Sequence, residues 1–333
     1  MPNSTLKSYL NPLSDHDLQD LILKARTLTR QRFGRVIQLY APLYLSNECI
    51  DTCTYCGFSR TNPITRKTLA IDQVGEEVDY LIAQSFKHIL LVAGEHPTHV
   101  SPDYLGEIVT KLKPKLASLA IEVSPFGEEV YRQLINAGLD GIVIYQETYH
   151  RERYADVHLA GPKKNYDRRI QAPEEALKAG IRQLGMGILL GLSDWREEVV
   201  QLVSHIEQLR KKYWQTEITI SLPRLRPCAS DYRPPCPVSD KDFVQIIAAL
   251  RLALPDIGIV LSTRESPDLR DSLIGLGVTR MSAGSKTEPG GYLHPEEELK
   301  QFEIEDHRSV KEVRTAITQK GYEPVWKDWE KMM

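Results

Sequence analysis

Short apolar stretches rich in β-branched residues recur along the chain, separated by longer stretches whose apolar positions fall three and four apart. Residues 14–33 place Leu18, Leu21, Ile22, Leu23, Ala25 and Leu28 at helical spacing, with Ser14 or Asp15 as N-cap and Gly34 as a stop. Strands are predicted near residues 41–46, 88–93, 117–123, 141–146, 184–190, 217–222, 257–262 and 278–281. Helices are predicted between them at 72–86, 102–112, 127–137, 173–180, 196–212, 239–253 and 267–275, several followed closely by a glycine: Gly138, Gly180 and Gly277. Eight alternations with continuous apolar strands describe parallel strands buried on both faces. The expected fold class is therefore α/β, a (β/α)8 TIM-type barrel with its active site at the C-terminal ends of the strands. An open doubly wound sheet is the competing layout, but no glycine-rich dinucleotide fingerprint follows the first strand. No linker, low-complexity tract or internal repeat divides the chain, so residues 1–36 read as an N-terminal helical arm and 37–333 as the barrel with a C-terminal closing segment.

Charge changes this picture by exclusion. The 333 residues carry 42 Lys plus Arg against 45 Asp plus Glu, a net charge of -3, and no basic block. Nothing here supplies a field for nucleic acid. The longest apolar run, Ile89–Ala93, is far short of the roughly 20 residues a membrane span requires, and Met1–Leu10 lacks the basic-then-apolar order of a signal peptide. A cytoplasmic protein with neither membrane nor nucleic-acid partners is expected.

The chemistry begins at the cysteines. Three of the five, Cys49, Cys53 and Cys56, crowd into eight residues, while Cys228 and Cys236 lie far downstream around a proline-rich loop. A disulfide framework would spread them. The cluster follows the first strand, which in a barrel places it at the catalytic mouth. Three thiolates at this spacing can hold three irons of a cubane and leave the fourth open to another ligand. The alternative is a zinc knuckle, which needs a fourth Cys or His; His88, His96 and His99 are available, though nothing in their spacing demands it. No metal is expected at Cys228 and Cys236, whose loop is placed to cover the site.

The Cys-x3-Cys-x2-Cys motif, with Tyr55 directly before the last cysteine, resembles that of the radical S-adenosylmethionine (SAM) superfamily. Further segments narrow the resemblance: PLYLSNECIDTCTYCGFSR, RKTL at 66–69, LLVAGEHP at 90–97, YQETYH at 145–150, PRLRPC at 223–228, STRESP at 262–267, SAGSKTEPGGY at 282–292 and PVWKDW at 324–329. Together they are similar to the 2-iminoacetate synthase family, the tyrosine lyases of thiamine biosynthesis, from about residue 27 to the end of the chain. The N-terminal arm is shorter than is usual in that family.

The resemblance implies a 4Fe-4S cluster on Cys49, Cys53 and Cys56, with SAM on the open iron. It places Tyr55 near adenine, Gly94 and Glu95 at the strand edge that receives the SAM ammonium, and Glu147 and Arg169 at SAM's charged ends. It makes Arg264 the clamp for the substrate carboxylate, with Ser282 nearby. Three arginines, Arg224, Arg226 and Arg264, are expected near the ends of strands six and seven, where they would favour an anionic ligand. The implied reaction cleaves L-tyrosine between Cα and Cβ to 2-iminoacetate (dehydroglycine) and p-cresol. Implied partners are thiazole synthase and a reducing donor such as flavodoxin or ferredoxin.

Three other readings stand beside this one. The tyrosine lyase that matures iron-only hydrogenase shares many motifs but carries a C-terminal extension with a second cysteine-bound cluster; no cysteine follows Cys236 here. A tryptophan lyase would use the same motifs around SAM and differ only in its aromatic pocket. A non-catalytic metal-binding scaffold would have no use for Glu95, Glu147 and Arg264 beside the cysteines.

Overall fold

In the computed structural model, which describes residues 3–327, the first strand shows how the chain divides its residues between an inner and an outer face. In β1 (Val36–Ser46), Ile37, Leu39, Ala41, Leu43 and Leu45 join the main hydrophobic core, while Tyr40, Pro42 and Tyr44 face a central cavity. The other strands are β2 (His88–Ala93), β3 (Ser118–Glu122), β4 (Gly141–Glu147), β5 (Gln183–Ile188), β6 (Glu217–Ser221), β7 (Gly258–Leu261) and β8 (Arg280–Ser282). Each pairs in parallel with the next. β8 then returns to β1, with Gln38 opposite Arg280 and Tyr40 opposite Ser282, and closes the barrel. All eight strands lie where the apolar runs predict them, β1 beginning five residues earlier than the expected Ala41.

The barrel's inner face is more polar than the apolar runs suggest. His88, Ser118, Gln183, Thr219, Ser221 and Arg280 line its lower half. Outer-face residues pack under the surrounding helices. Helix Asp15–Phe33 starts on Ser14, whose side chain accepts the Asp17 amide, and stops at Gly34 with φ +65°; it lies along helix Asp240–Ala253. Short strand Glu323–Val325 adds to the start of β1. Asp328 and Trp329, at the end of the PVWKDW segment, lie outside the described residues.

One expected helix is displaced. Rather than beginning at residue 173, it spans Tyr166–Lys178, capped by Asn165, with Pro173 inside it. The polar stretch KKNYDRR hides the amphipathic period, and Pro173 imitates a helix start. Arg169 is consequently a buried helical residue and not a solvated charge. Helices Asn3–Leu10, Arg151–Val157 and Val310–Gln319 were not expected from the pattern.

Candidate active site

At the mouth, β1 and β4 each end in a register shift, between Tyr44 and Ser46 and between Tyr145 and Glu147. The first shift turns the chain into the cysteine loop. This loop is tied down on three sides: Ile50 N donates to the Glu95 carbonyl at 2.9 Å, Thr54 N to that of Val157 at 3.0 Å, and Gly94 N to that of Ser46 at 3.0 Å. Arg66 donates to the carbonyls of Asn47, Phe58 and Ser59 at 2.7, 2.9 and 2.7 Å and holds the loop's two ends together. Gly94 is required by close approach, because a Cβ there would strike the Glu48 carbonyl oxygen and come within 3.1 Å of Cys49 Cβ.

Cys49, Cys53 and Cys56 all face the central cavity, and none forms a disulfide. Burial and the nearby Cys56 push Cys49 up to about 12. Burial also raises Cys53 well above the ordinary thiol range, despite the lowering influence of Lys163, and it raises Cys56. Three desolvated sulfurs that repel one another as thiolates suit a positively charged metal core. A single ion does not fit the spacing: among the described residues, the one set of three donors within 4.8 Å of one another is Glu48, His96 and His99, without a cysteine. His88 lies deep in the barrel against Gln38. None of the candidate histidines therefore completes a tetrahedral cysteine site, and the residues fit a multi-iron cluster.

Beside the cysteines the charged residues stand in crossed pairs. Arg169 binds Glu95 at 2.8 Å and also donates to the Tyr145 carbonyl at 2.8 Å. Lys163 binds Glu147 at 2.7 Å. All four side chains are largely buried. Burial works against the Arg169 charge, yet Glu95 and Glu147 outweigh it and raise its pKa. Glu95 is likewise held below the usual carboxylate range, its burial being overcome by Arg169 and Lys163. Asp51 moves the other way, to about 7, through burial and the facing Glu95. As an acid its otherwise unpartnered Oδ2 can donate to Glu95. Glu147 adopts φ +68°, a left-handed conformation that costs a non-glycine residue on the order of 1–3 kcal/mol and here aims its carboxylate into the cavity.

Tyr55 is buried, and its hydroxyl meets His158 Nε2 at 2.8 Å. The His158 Nδ1 hydrogen must go to the Tyr154 carbonyl, 2.8 Å away, which leaves Nε2 to accept from Tyr55. Tyr232, from the loop between Cys228 and Cys236, packs edge-on against the Tyr55 ring at 6.3 Å, and Cys228 Sγ donates to the Tyr55 carbonyl at 3.4 Å. The proline-rich loop thus covers Tyr55.

The three arginines have different fates. Arg224 is ion-paired to Glu265 and Asp240, and Arg226 to Glu305. Arg264 faces the cavity, its guanidinium 3.4 Å from the centroid of the Phe302 ring and 3.5 Å from the Arg224 carbonyl oxygen. It has no carboxylate partner among the described residues; its neighbour Glu265, a candidate for a structural pair, is taken by Arg224. Ser282, at the end of β8, lines the same cavity and accepts the Thr263 amide at 3.2 Å. Cys49, Cys53, Cys56, Tyr55, Gly94, Glu95, Glu147, Arg169, Arg264 and Ser282 all line one cavity.

The pattern reading missed Lys163, Gln301, His158 and Glu122. Gln301 reaches the site from the C-terminal segment, and Lys163 and His158 come from the stretch after β4. No local signal marks these three. Glu122 had one: an acidic residue that ends an apolar barrel strand points to the mouth.

The radical SAM superfamily model matches residues 43–203, and the biotin and thiamin synthesis associated domain matches 221–323. The chain is 43% identical over 326 residues to the 2-iminoacetate synthases of Salmonella typhimurium and Escherichia coli, covering 98% of this chain and 86% of each relative. Two structures of the FeFe-hydrogenase maturase HydG, one from Carboxydothermus hydrogenoformans, superimpose with TM-scores of 0.91 and 0.92 at 36% identity. They cover 96% and 97% of this chain and 71% and 75% of theirs.

Proposed function

The chain belongs to the 2-iminoacetate synthase family of radical SAM enzymes, and we propose that it cleaves the Cα–Cβ bond of L-tyrosine, releasing 2-iminoacetate and p-cresol for thiamine thiazole formation. The observation that carries this reading is the one cavity in which three cysteines, Cys53 buried and Cys49 and Cys56 partly buried, face an Arg264 without a carboxylate partner among the described residues. Cys49, Cys53 and Cys56 would hold a 4Fe-4S cluster that, with SAM, would supply the radical chemistry needed for hydrogen-atom removal from the substrate amine.

The chain's own residues bind and orient. Glu95 and Glu147 present negative charge to SAM's ammonium and sulfonium, and Arg169 and Lys163 stand ready for its carboxylate, so cofactor entry exchanges internal pairs for external ones. Tyr55, locked by His158 and covered by Tyr232, offers a flat face for adenine. Arg264 forks the substrate carboxylate, with the Ser282 hydroxyl beside it. This holds the amine toward the cofactor side, where hydrogen transfer demands near contact. Loss of the amine hydrogen lets the Cα–Cβ bond break, and the phenol stabilises the departing benzyl fragment. Because 2-iminoacetate hydrolyses in water, the cover formed by the 228–236 loop and the Gln301–Phe302 segment protects it. Delivery to thiazole synthase follows from the same lability, and a flavodoxin or ferredoxin of the host would supply the electron.

Among the described residues no helix is long and apolar enough to cross a membrane. Anaerobic reconstitution with iron, sulfide, SAM and a reductant, followed by separate incubation with tyrosine and tryptophan, tests the reading. p-Cresol with glyoxylate from hydrolysed 2-iminoacetate is expected from tyrosine; turnover of tryptophan alone would reassign the substrate.

A further inference from the structure

Glu122 is the last residue of β3 and lies on its inner face, in register with Ser118 and Ala120. Four carboxylates line the cavity: Asp51, Glu95, Glu122 and Glu147. Asp51 accepts the Lys163 amide, Glu95 binds Arg169, and Glu147 binds Lys163. Glu122 alone of the four has no hydrogen-bond or ion-pair partner among the described residues. An unpartnered carboxylate inside a barrel is costly unless a ligand completes it.

Its surroundings indicate which ligand. The charged groups that act on it are Glu147 from β4, Arg264 from the loop after β7, Lys163 from the stretch after β4, and Arg169 from helix Tyr166–Lys178. The phenols of Tyr40 and Tyr44 from β1, and of Tyr145 from β4, also feel it. Glu122 is thus within electrostatic reach both of the arginine assigned to the substrate carboxylate and of the residues assigned to SAM. The α-amino group of an amino acid lies one carbon from its carboxylate and here must turn toward the cofactor.

A free amino acid carries that group as ammonium near neutral pH. Removing a hydrogen atom from an ammonium would leave positive charge on an electron-deficient nitrogen, so the amine must first be neutral. The three tyrosines cannot take the proton, since burial raises the pKa of each and keeps it a phenol. Resting on the tyrosine-lyase reading, we propose that Glu122 binds the substrate α-ammonium and accepts one proton from it, making it a further catalytic residue. The transfer is heterolytic: one N–H bond breaks, one O–H bond forms on the carboxylate, the amine keeps its electron pair, and no oxidant or reductant is involved. Burial, aided by Glu147, lifts the Glu122 pKa to about 7, which suits a base operating near neutrality.

The test compares wild type, Glu122→Gln and Glu122→Asp, each reconstituted anaerobically, for iron content, tyrosine affinity, and the initial rates of deoxyadenosine and p-cresol formation from pH 6 to pH 9.5. Iron content should match wild type. At pH 7 the Gln variant should lose about a hundredfold in both rates. Its rate should then climb by about tenfold per pH unit on the alkaline side, as solution supplies free amine, while the Asp variant recovers part of the rate at neutral pH. A Glu122→Gln profile that overlays wild type would overturn the proposal, as would a loss of cluster or fold in both variants, which would make the carboxylate structural. Failure of wild type to form p-cresol from tyrosine would instead overturn the substrate reading, so the two outcomes are separable.

Discussion

Gln301 donates its side-chain amide to Cys56 Sγ at 3.7 Å while its carbonyl oxygen accepts the Tyr44 hydroxyl at 2.8 Å. Some 245 residues of sequence separate Gln301 from that sulfur. The contact joins the C-terminal segment to the cysteine loop, and Gly57 is needed beside it because a Cβ there would strike the Gln301 backbone. A hydrogen bond to a ligating sulfur stabilises the more negative, reduced state of a cluster. Gln301→Leu is therefore expected to retain iron but to shift the cluster midpoint potential negative by tens of millivolts. Anaerobic redox titration followed by electron paramagnetic resonance checks the direction.

The cysteine assignments separate cleanly by substitution. Cys53→Ser should abolish the brown chromophore or leave it unstable, because a hydroxyl replaces a soft thiolate poorly on iron, and deoxyadenosine formation should vanish. Cys228→Ala combined with Cys236→Ala should keep about four irons per chain, since one cubane needs only the other three thiolates. Loss of half the iron in the double variant would reveal a second centre.

His88 gives the fold an acid-sensitive element far from the chemistry. It is buried at the lower end of the barrel, where its Nε2 meets the Gln38 side-chain amide at 2.8 Å. Burial, reinforced by Arg280, Arg182 and Lys113, lowers its pKa from 6.5 to about 3. Between these values the unfolded chain binds a proton that the native barrel refuses, so stability falls as pH drops below about 6.5. From pH 7 to pH 5 this one residue should cost about 2 kcal/mol. His88→Gln removes that contribution. Urea unfolding at the two pH values should show a smaller pH difference for the variant than for wild type; equal differences would contradict a neutral buried histidine.

What was legible in the sequence follows from how each feature is encoded. Parallel strands covered on both faces declare themselves as unbroken apolar runs, and all eight barrel strands were found that way. The cysteine spacing encodes its own chemistry within eight residues. Helix Tyr166–Lys178 was misplaced because Pro173 sits inside it, so the pattern alone did not show that Arg169, assigned to SAM by resemblance, is a helical residue buried against Glu95. Lys163 and Gln301 act only through tertiary contacts, with Glu147 and Cys56 respectively, so no local pattern announces them. Of the three arginines near the strand ends, only packing reveals that Arg224 and Arg226 are ion-paired and that Arg264 has no carboxylate partner among the described residues.

That difference makes Arg264 the sharpest test of substrate binding. Its guanidinium lies over Phe302 and meets a single carbonyl oxygen at 3.5 Å, so its planar donors remain open to a carboxylate. Truncating one partner of a buried charged pair costs on the order of 2–5 kcal/mol, and Arg264→Ala should weaken tyrosine affinity by at least about tenfold. Iron content and SAM binding should not change, because among the described residues Arg264 makes no hydrogen bond or ion pair to the cysteines, Glu95, Glu147 or Arg169. Arg264→Lys should restore only part of the affinity, since an ammonium keeps the charge without the two-donor fork. Loosely held substrate also presents its amine at the wrong distance, so deoxyadenosine should form in excess of p-cresol. Measuring both products in one assay separates binding from coupling: unchanged affinity with an unchanged product ratio in Arg264→Ala would return the residue to a packing role against Phe302.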